Sequence, residues 1–258
     1  MSDSVTFLEA ALSLTLIVVA VGLSMWRSIG VERSIVWAAF RAAVQLLAVG
    51  VILVWILESS IAAVWAWLWV VFMVVVAAET VQRRRPRIPK MRLVAATAIG
   101  GATGISLLIV FGLGVFDIQP VTIVVIAGIT IGNTMPGTVL AVDRGVGYLE
   151  DHAGQVESLL ALGFNGRQST RFLVAETART ALIPQIERTK VVGLIALPGA
   201  MTGLLLAGVD PIDAVLVQLV IMYLVLGSVA VAVLVVTTTL ASRSLTADLR
   251  LASWVGQR

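Results

Sequence analysis

Long apolar runs separated by short polar connections set the pattern of this chain. A helix needs about 20 consecutive apolar residues to cross the roughly 30 Å hydrocarbon core of a bilayer. The pattern predicts an all-α polytopic membrane protein of about seven transmembrane helices, built as a single transmembrane domain over residues 1–258. The apolar runs cover residues 7–26, 35–57, 61–80, 93–114, 120–142, 191–209 and 213–240.

The basic residues predict the orientation. If the amino terminus lies outside, every Lys and Arg of the chain except Arg41 falls in an inside segment, and the outside segments carry only acids such as Asp117 and Asp210. Cytoplasmic loops collect Lys and Arg in this way. The sequence therefore predicts an outside amino terminus and an inside carboxyl terminus. Residues 1–6 contain an acid and no base, unlike a signal peptide, so the first span is expected to be retained.

Residues 144–190 form the one long polar connection, which is longer than neighbouring spans need. Its pattern predicts a short helix over 152–162, a turn at 163–166 and a second helix over 168–186. A short helix closed by a glycine turn below the membrane is typical of an element that docks a cytoplasmic partner. On the second helix, Glu176 and Arg179 are predicted to form a structural ion pair, either with each other at i,i+3 or by bridging to a neighbouring helix.

Composition excludes several kinds of chemistry. Only 13% of the residues are charged, against about 25% in soluble domains. The chain has no cysteine and one histidine, His152, which excludes thiolate metal sites and paired-histidine motifs. Neither Lys90 nor Lys190 lies in a phosphate-binding P-loop, so any use of ATP must come from a partner. Basic cytoplasmic loops explain the net charge of +3 without nucleic-acid binding.

Several side chains within the predicted spans are candidates for a translocation path, because polar groups at membrane depth are costly unless they are paired or face water. Each also has a structural alternative. Arg41 can reach the interface and Glu79 can neutralise the nearby arginines. Met201 is a candidate because its sulfur could contact a soft metal, and packing is its alternative. Asn133 and Gln218 can join helices. The interior offers almost no carboxylates, so a complexed substrate fits it better than a bare cation. The candidates are Arg41, Gln45, Glu79, Asn133, Thr134, Met201 and Gln218.

Pro198 and Gly199 interrupt the sixth apolar run in its middle. Proline removes a helical hydrogen bond and glycine loosens the backbone. We interpret the pair as a hinge that lets the two halves of the sixth span move separately. A static kink that only shapes packing is the alternative.

Five stretches carry a resemblance to a known family: RAAVQLLAVG (41–50), IAGITIGNTM (126–135), LALGFNGRQS (160–169), ARTALIP (178–184) and KVVGLIALPGAMTGLLLAGVDP (190–211). In this order and at these separations they resemble the FetB-type (UPF0014) family of ABC transporter permeases, the membrane subunits of iron exporters, with plant relatives linked to aluminium tolerance. The likeness covers about residues 30–240. Pro136 and Gly137 depart from the family pattern and leave the local shape of the fifth span open.

The resemblance implies a permease domain that forms the translocation path for iron or a related metal complex and sits in a bacterial plasma (inner) membrane. It also implies a homodimer of this chain with a separate ABC ATPase subunit that binds ATP and magnesium, so that this chain has no catalytic residue and no cofactor. A secondary transporter or channel not driven by ATP is the alternative. The residues that the resemblance assigns to ATPase docking are Glu157, Leu160, Leu162, Gly163 and Arg167.

Overall fold

The computed structural model describes residue 12 and residues 14–85, 88–246 and 248–255. Residues 1–6 and the beginning of the first predicted span lie outside the described residues. Within the described part of the chain the secondary structure is helical, apart from two isolated β-bridges. The helices are α1 (Leu14–Trp26), α2 (Glu32–Glu58), α3 (Ala62–Arg84), α4 (Met91–Gly112), α5 (Pro120–Asp151), α6 (Ala153–Ala161), α7 (Gly166–Lys190), α8 (Gly199–Leu206) and α9 (Pro211–Arg243).

The chain divides into two compact units, over residues 1–62 and residues 63–258. In the first unit α1 packs on α2, and Ser24 Oγ donates a 2.6 Å hydrogen bond to Glu32 Oε1. In the second unit α4, α5, α7 and α9 pack together around a core rich in alanine and valine. Helices satisfy their own backbone groups, which is the requirement that a hydrocarbon environment places on a spanning chain.

Five helices are long and apolar enough to cross a membrane: α2, α3, α4, α5 and α9. They correspond to the second to fifth and the seventh predicted spans. The described part of α1, at 13 residues, is shorter than a span. An all-helical, multi-pass membrane protein is therefore confirmed, while the count of seven spans and the orientation stay predictions.

The sixth predicted span, over residues 191–209, is not one helix. Gly193 adopts a left-handed backbone with φ of +85°, and residues 191–198 follow an irregular path before α8 begins. α8 has only eight residues, or about 12 Å, too short to cross alone. Pro198 is the N-cap of α8 and Gly199 is its first residue. Pro198 and Gly199 therefore lie where the irregular segment passes into α8 and not inside a continuous spanning helix. A hinge at this pair stays a prediction.

The helices predicted within residues 144–190 are confirmed as α6 and α7. Asn165 caps α7: its Oδ1 accepts from the Gln168 backbone N–H at 2.9 Å, and Gln168 Oε1 accepts from the Asn165 backbone N–H at 3.1 Å. This reciprocal capping box fixes where α7 starts. α7 continues to Lys190, four residues beyond the predicted end. α5 continues past Pro136 as one helix of 32 residues.

Candidate functional site

Three helices of the second unit, α5, α7 and α9, meet along one seam. Gly137 of α5 lies against Val229 of α9, and eight residues later Gly145 lies against Leu240, so α5 and α9 run in the same direction. α7 runs in the opposite direction to α5. Thr177 of α7 lies against Gly145 of α5, and the later part of α7 lies beside the earlier, middle part of α5. The glycines permit this close packing, since they bring no side chain between the helices.

The end of α7 lies beside the uncharged part of α5. α5 carries no charged side chain from Pro120 to Asp143, a length of about 35 Å at 1.5 Å per residue, which matches a hydrocarbon core with its boundaries. Asn133 lies thirteen residues after Pro120, or about 20 Å. Arg188 Nη1 of α7 donates a 3.2 Å hydrogen bond to Asn133 Oδ1. Arg188 therefore lies near the middle of the uncharged zone.

This placement bears on the predicted cytoplasmic insert, which stays a prediction. The sequence pattern assigned the whole of 144–190 to the aqueous side because the segment is rich in charge. In the structure the first and last parts of this segment have different neighbours. From about Thr177 onward α7 runs beside the uncharged zone of α5, where Arg188 donates to Asn133 and lines a cavity together with Gln185, while Glu187 and Lys190 are exposed.

The cavity between α5, α7 and α9 has a volume of about 270 Å³. Pro136 of α5 and Pro184 of α7 both line it, and both lie inside their helices. A proline offers no N–H, so each leaves the carbonyl four residues earlier, Gly132 and Thr180, without its helical donor. Two helices are thus loosened at the same place, which is tolerated at membrane depth where backbone lines a cavity.

Polar donors gather at this cavity. Asn133 Nδ2 donates to its own helix at Ile129 O, 2.7 Å away, which leaves Asn133 Oδ1 free to accept from Arg188. Gln185, one turn before Arg188, also lines the cavity, and its Nε2 is buried without a hydrogen-bond partner. A buried donor without an acceptor costs about 1–3 kcal/mol. The site therefore presents more donors than acceptors from its own side chains.

The positive charge of Arg188 is not neutralised by the charged residues next to it on α7. Glu187 Oε1 and Lys190 Nζ form a 2.7 Å ion pair with each other. Among the ion pairs of the described residues, none includes Arg188. The exposed Arg188 guanidinium thus brings one net positive charge to the cavity.

A second cavity follows on the same seam. It has a volume of about 280 Å³ and is lined by Asp143, Tyr148, Asp151 and Glu176, among others. Asp143 Oδ1 accepts a 3.0 Å hydrogen bond from Arg85 Nε, at the end of the uncharged zone. The α5–α7 seam therefore holds two polar cavities in succession, one at its charged end and one at mid-depth.

The remaining predicted path residues are scattered. Thr134 is fully buried, and its Oγ1 donates to Ile131 O at 3.1 Å. Gln218 is buried in α9, with Oε1 lacking a partner. Glu79 bonds Arg83 at 3.0 Å and lies 4.0 Å from Arg92, as the neutralising alternative expects. Met201 is half-buried on α8, and the exposed Arg41 and Gln45 belong to the first unit. Only Asn133 lies at the mid-depth cavity.

The predicted docking residues surround an exposed turn. Leu162, next to the left-handed Gly163 (φ +91°), is 75% exposed, and Phe164 is also exposed. Glu157 and Arg167 are exposed on α6 and α7, whereas Leu160 is half-buried. This "docking turn", residues 162–165, presents apolar side chains on a polar connection.

The ion pair predicted on α7 is not formed. Among the described residues, no contact within 4.0 Å joins Glu176 and Arg179 or links either of them to another charged group. Instead Glu176 faces the second cavity of the seam, whereas Arg179 is exposed.

The sequence analysis missed Gln185 and Arg188. They are three residues apart on α7 and line the cavity together. The available signal was Pro184, a proline inside a predicted helix, which is typical of helices that line a cavity in a membrane. It was outweighed by the charge of the segment.

Comparison with known proteins places this architecture among membrane proteins. The model of an uncharacterised protein family, UPF0014, matches residues 7–245. The "UPF0014 membrane protein STAR2" of Oryza sativa subsp. japonica is 35% identical over 224 residues, covering 87% of this chain and 78% of the relative. The "Probable iron export permease protein FetB" of Escherichia coli (strain K12) is 31% identical over 234 residues, covering 91% and 90%. "Protein ALUMINUM SENSITIVE 3" of Arabidopsis thaliana is 32% identical over 223 residues, covering 86% and 81%. No solved structure matches the chain.

Proposed function

The chain belongs to the uncharacterised protein family UPF0014, and from that membership we propose that it is the membrane-spanning permease subunit of an ABC transporter. In this proposal it forms the translocation path in a bacterial plasma membrane and exports iron or a related metal complex. The relative named as a probable iron export permease supports the proposed cargo. ATP and magnesium are bound by a separate ATPase subunit, and this chain catalyses no reaction.

One observation carries the proposal: α7 joins the docking turn to the mid-depth cavity. Its first residue, Gly166, follows a turn with exposed Leu162 and Phe164, and its last turn holds Arg188 at Asn133. Exposed apolar side chains on an otherwise polar connection suit a protein partner. A partner that binds the turn thus contacts the same helix that lines the cavity.

A homodimer of this chain completes the proposal. The irregular segment over 191–198 begins near mid-depth, and its Leu194 and Ile195 are 91% and 82% exposed. Irregular backbone is not found facing lipid within the hydrocarbon core, only buried in protein or lining a cavity. A second copy is the simplest cover for this segment, because two-fold dimers are the commonest oligomers.

The test is co-purification with a stand-alone ATPase chain that carries a Walker A sequence and comes from the same genome. We expect the two chains to purify together, and Leu162→Asp to reduce the recovered ATPase at least about tenfold, because a carboxylate is costly to bury in an apolar groove. Leu113→Asp is the matched control: Leu113 is 76% exposed but lies between α4 and α5, away from the docking turn. Its complex should be recovered as for the unchanged chain.

Transport decides between the proposal and its alternative. Reconstituted with the ATPase, the chain should move an iron complex only when ATP is present. Equal transport by the chain alone, without ATPase or ATP, would identify a secondary transporter or channel instead.

A further inference from the structure

We propose that the cavity between α5, α7 and α9 is a binding site for an oxyanion, a carboxylate or phosphate group of the cargo, with Arg188 as its charged anchor and Gln185 as a second donor. The inference rests on the proposed transport function and narrows its substrate class to anions and anionic metal complexes. According to this proposal, the site does not bind a bare metal cation.

The first argument is the hydrogen-bond inventory. Arg188 uses one N–H on Asn133 Oδ1, and a guanidinium carries five. Gln185 Nε2, on the same side of α7, is buried without a partner. The Gly132 carbonyl, which Pro136 leaves without its helical donor, lines the same cavity and can accept from one of these groups. The remaining N–H groups of the guanidinium suit a carboxylate or phosphate, which matches the planar fork of an arginine with two parallel bonds.

The second argument is charge. Ionisable side chains within the membrane pair with each other or face a water-filled cavity, and they mark substrate pathways. Glu187 is already bound to Lys190, and Glu176 lies twelve residues earlier on α7, about 18 Å along the helix. Arg188 therefore keeps its charge toward the cavity. That charge repels a bare cation and attracts an anion.

The third argument is space. A cavity of about 270 Å³ is slightly below the usual range of ligand pockets, roughly 300–1,000 Å³, so it accommodates one small acid or the head of a larger one. The loosened backbone at Pro136 and Pro184 lies at the same level, so the walls of the site are the parts of α5 and α7 that can adjust.

The test uses the full chain alone, in lipid nanodiscs, with isothermal titration of citrate, inorganic phosphate and iron(II) chloride. We expect citrate or phosphate to bind the unchanged chain, and Arg188→Gln to weaken that binding at least about tenfold, the effect of losing a charge-assisted hydrogen-bond pair. Iron(II) chloride should show no binding that depends on Arg188. The matched control is Arg179→Gln, which removes an exposed cation nine residues earlier on α7 that has no ion pair among the described residues; it should leave the affinity within about twofold.

Gln185→Leu keeps the proposal testable if Arg188→Gln fails to fold, because it removes the second donor without changing the charge. We expect it to weaken citrate or phosphate binding as well. Equal affinity in these variants and the unchanged chain, or no binding of either anion at millimolar concentration, would overturn the assignment.

A lipid headgroup has the same chemistry as a free phosphate. Native mass spectrometry separates the two, since an Arg188-dependent phosphatidylglycerol adduct, with no binding of citrate or phosphate, would contradict the cargo assignment. The titration contains no ATPase and no ATP. Its failure would therefore leave the co-purification result at Leu162 standing, and a failure of co-purification would leave the titration standing.

Discussion

At the scale of single residues, the buried polar groups of the spanning helices separate into satisfied and unsatisfied ones. Thr103, Thr130 and Thr237 each donate to a carbonyl of their own helix, so their hydroxyls cost little. Gln218 is only 4% exposed, and its Oε1 has no partner. It lies away from the mid-depth cavity, which argues for a local role in α9.

We therefore predict that Gln218→Met stabilises the protein by about 1 kcal/mol, because it removes an unsatisfied buried acceptor while nearly conserving volume. The measurement is the midpoint of thermal unfolding in detergent. Thr237→Val is the control, since it removes a hydroxyl that is already bonded at 2.9 Å and should bring no gain. A clear loss of stability in Gln218→Met would show that this amide is bonded within the protein.

At the scale of helices, Gly145 is the most tightly packed of the described glycines in the second unit. A Cβ atom built there would lie 2.6 Å from Leu240 Cδ2 and 3.2 Å from Thr177 Cγ2. One glycine thus sets the distance of α5 from both α7 and α9. Gly147, two residues later on α5, has no neighbouring atom within 4 Å of such a Cβ.

The two glycines give a matched pair of variants. Gly145→Ala is expected to destabilise the protein by about 1–3 kcal/mol, the usual cost of overpacking a well-filled core. Gly147→Ala is expected to be neutral or to stabilise by up to about 1 kcal/mol, because alanine is the better helix former. Thermal unfolding of both variants checks this. Similar midpoints would mean that the seam is loosely packed at Gly145.

The sequence predicted the continuous helices better than the interrupted segment over residues 191–209. The apolar run over 120–142 predicted the apolar part of α5, and the turn residues around Asn165 predicted where α7 starts. Both predictions succeed because hydrophobic length and capping are local properties of the sequence. The run over 191–209 looked like a span because hydropathy records polarity and not continuity. Its Gly193 and Pro198 break the helix through backbone conformation, which a sum over side chains does not contain.

The candidate site was predicted only through Asn133. Arg188 was missed because a sequence pattern assigns a charged residue to water, whereas the structure provides an amide partner and a cavity within the protein. That information is tertiary, since the two residues are 55 positions apart.

At the scale of the whole molecule, the exposed irregular segment over 191–198 predicts contact with a second copy. The chain contains no cysteine, so one introduced thiol per chain can report on proximity. Leu194→Cys should form a covalent dimer with a short bis-maleimide reagent in membranes. Leu108→Cys, also exposed at 73% but on α4, should stay monomeric.

The reverse pattern, with Leu108→Cys linked and Leu194→Cys monomeric, would place the contact at α4 and not at the irregular segment. It would also leave the irregular segment to line a cavity within one copy.

The length of α7 has a further consequence. Its 25 residues make a rod of about 37 Å, held at one end by the Asn165 cap and reaching Asn133 at the other. A tilt imposed on the aqueous end would therefore swing the guanidinium through an arc at mid-depth, with Pro184 as the single yielding point between them. The same helix would receive the force of a bound partner at one end and hold the cargo at the other. Partner movement and cargo binding would therefore be mechanically coupled.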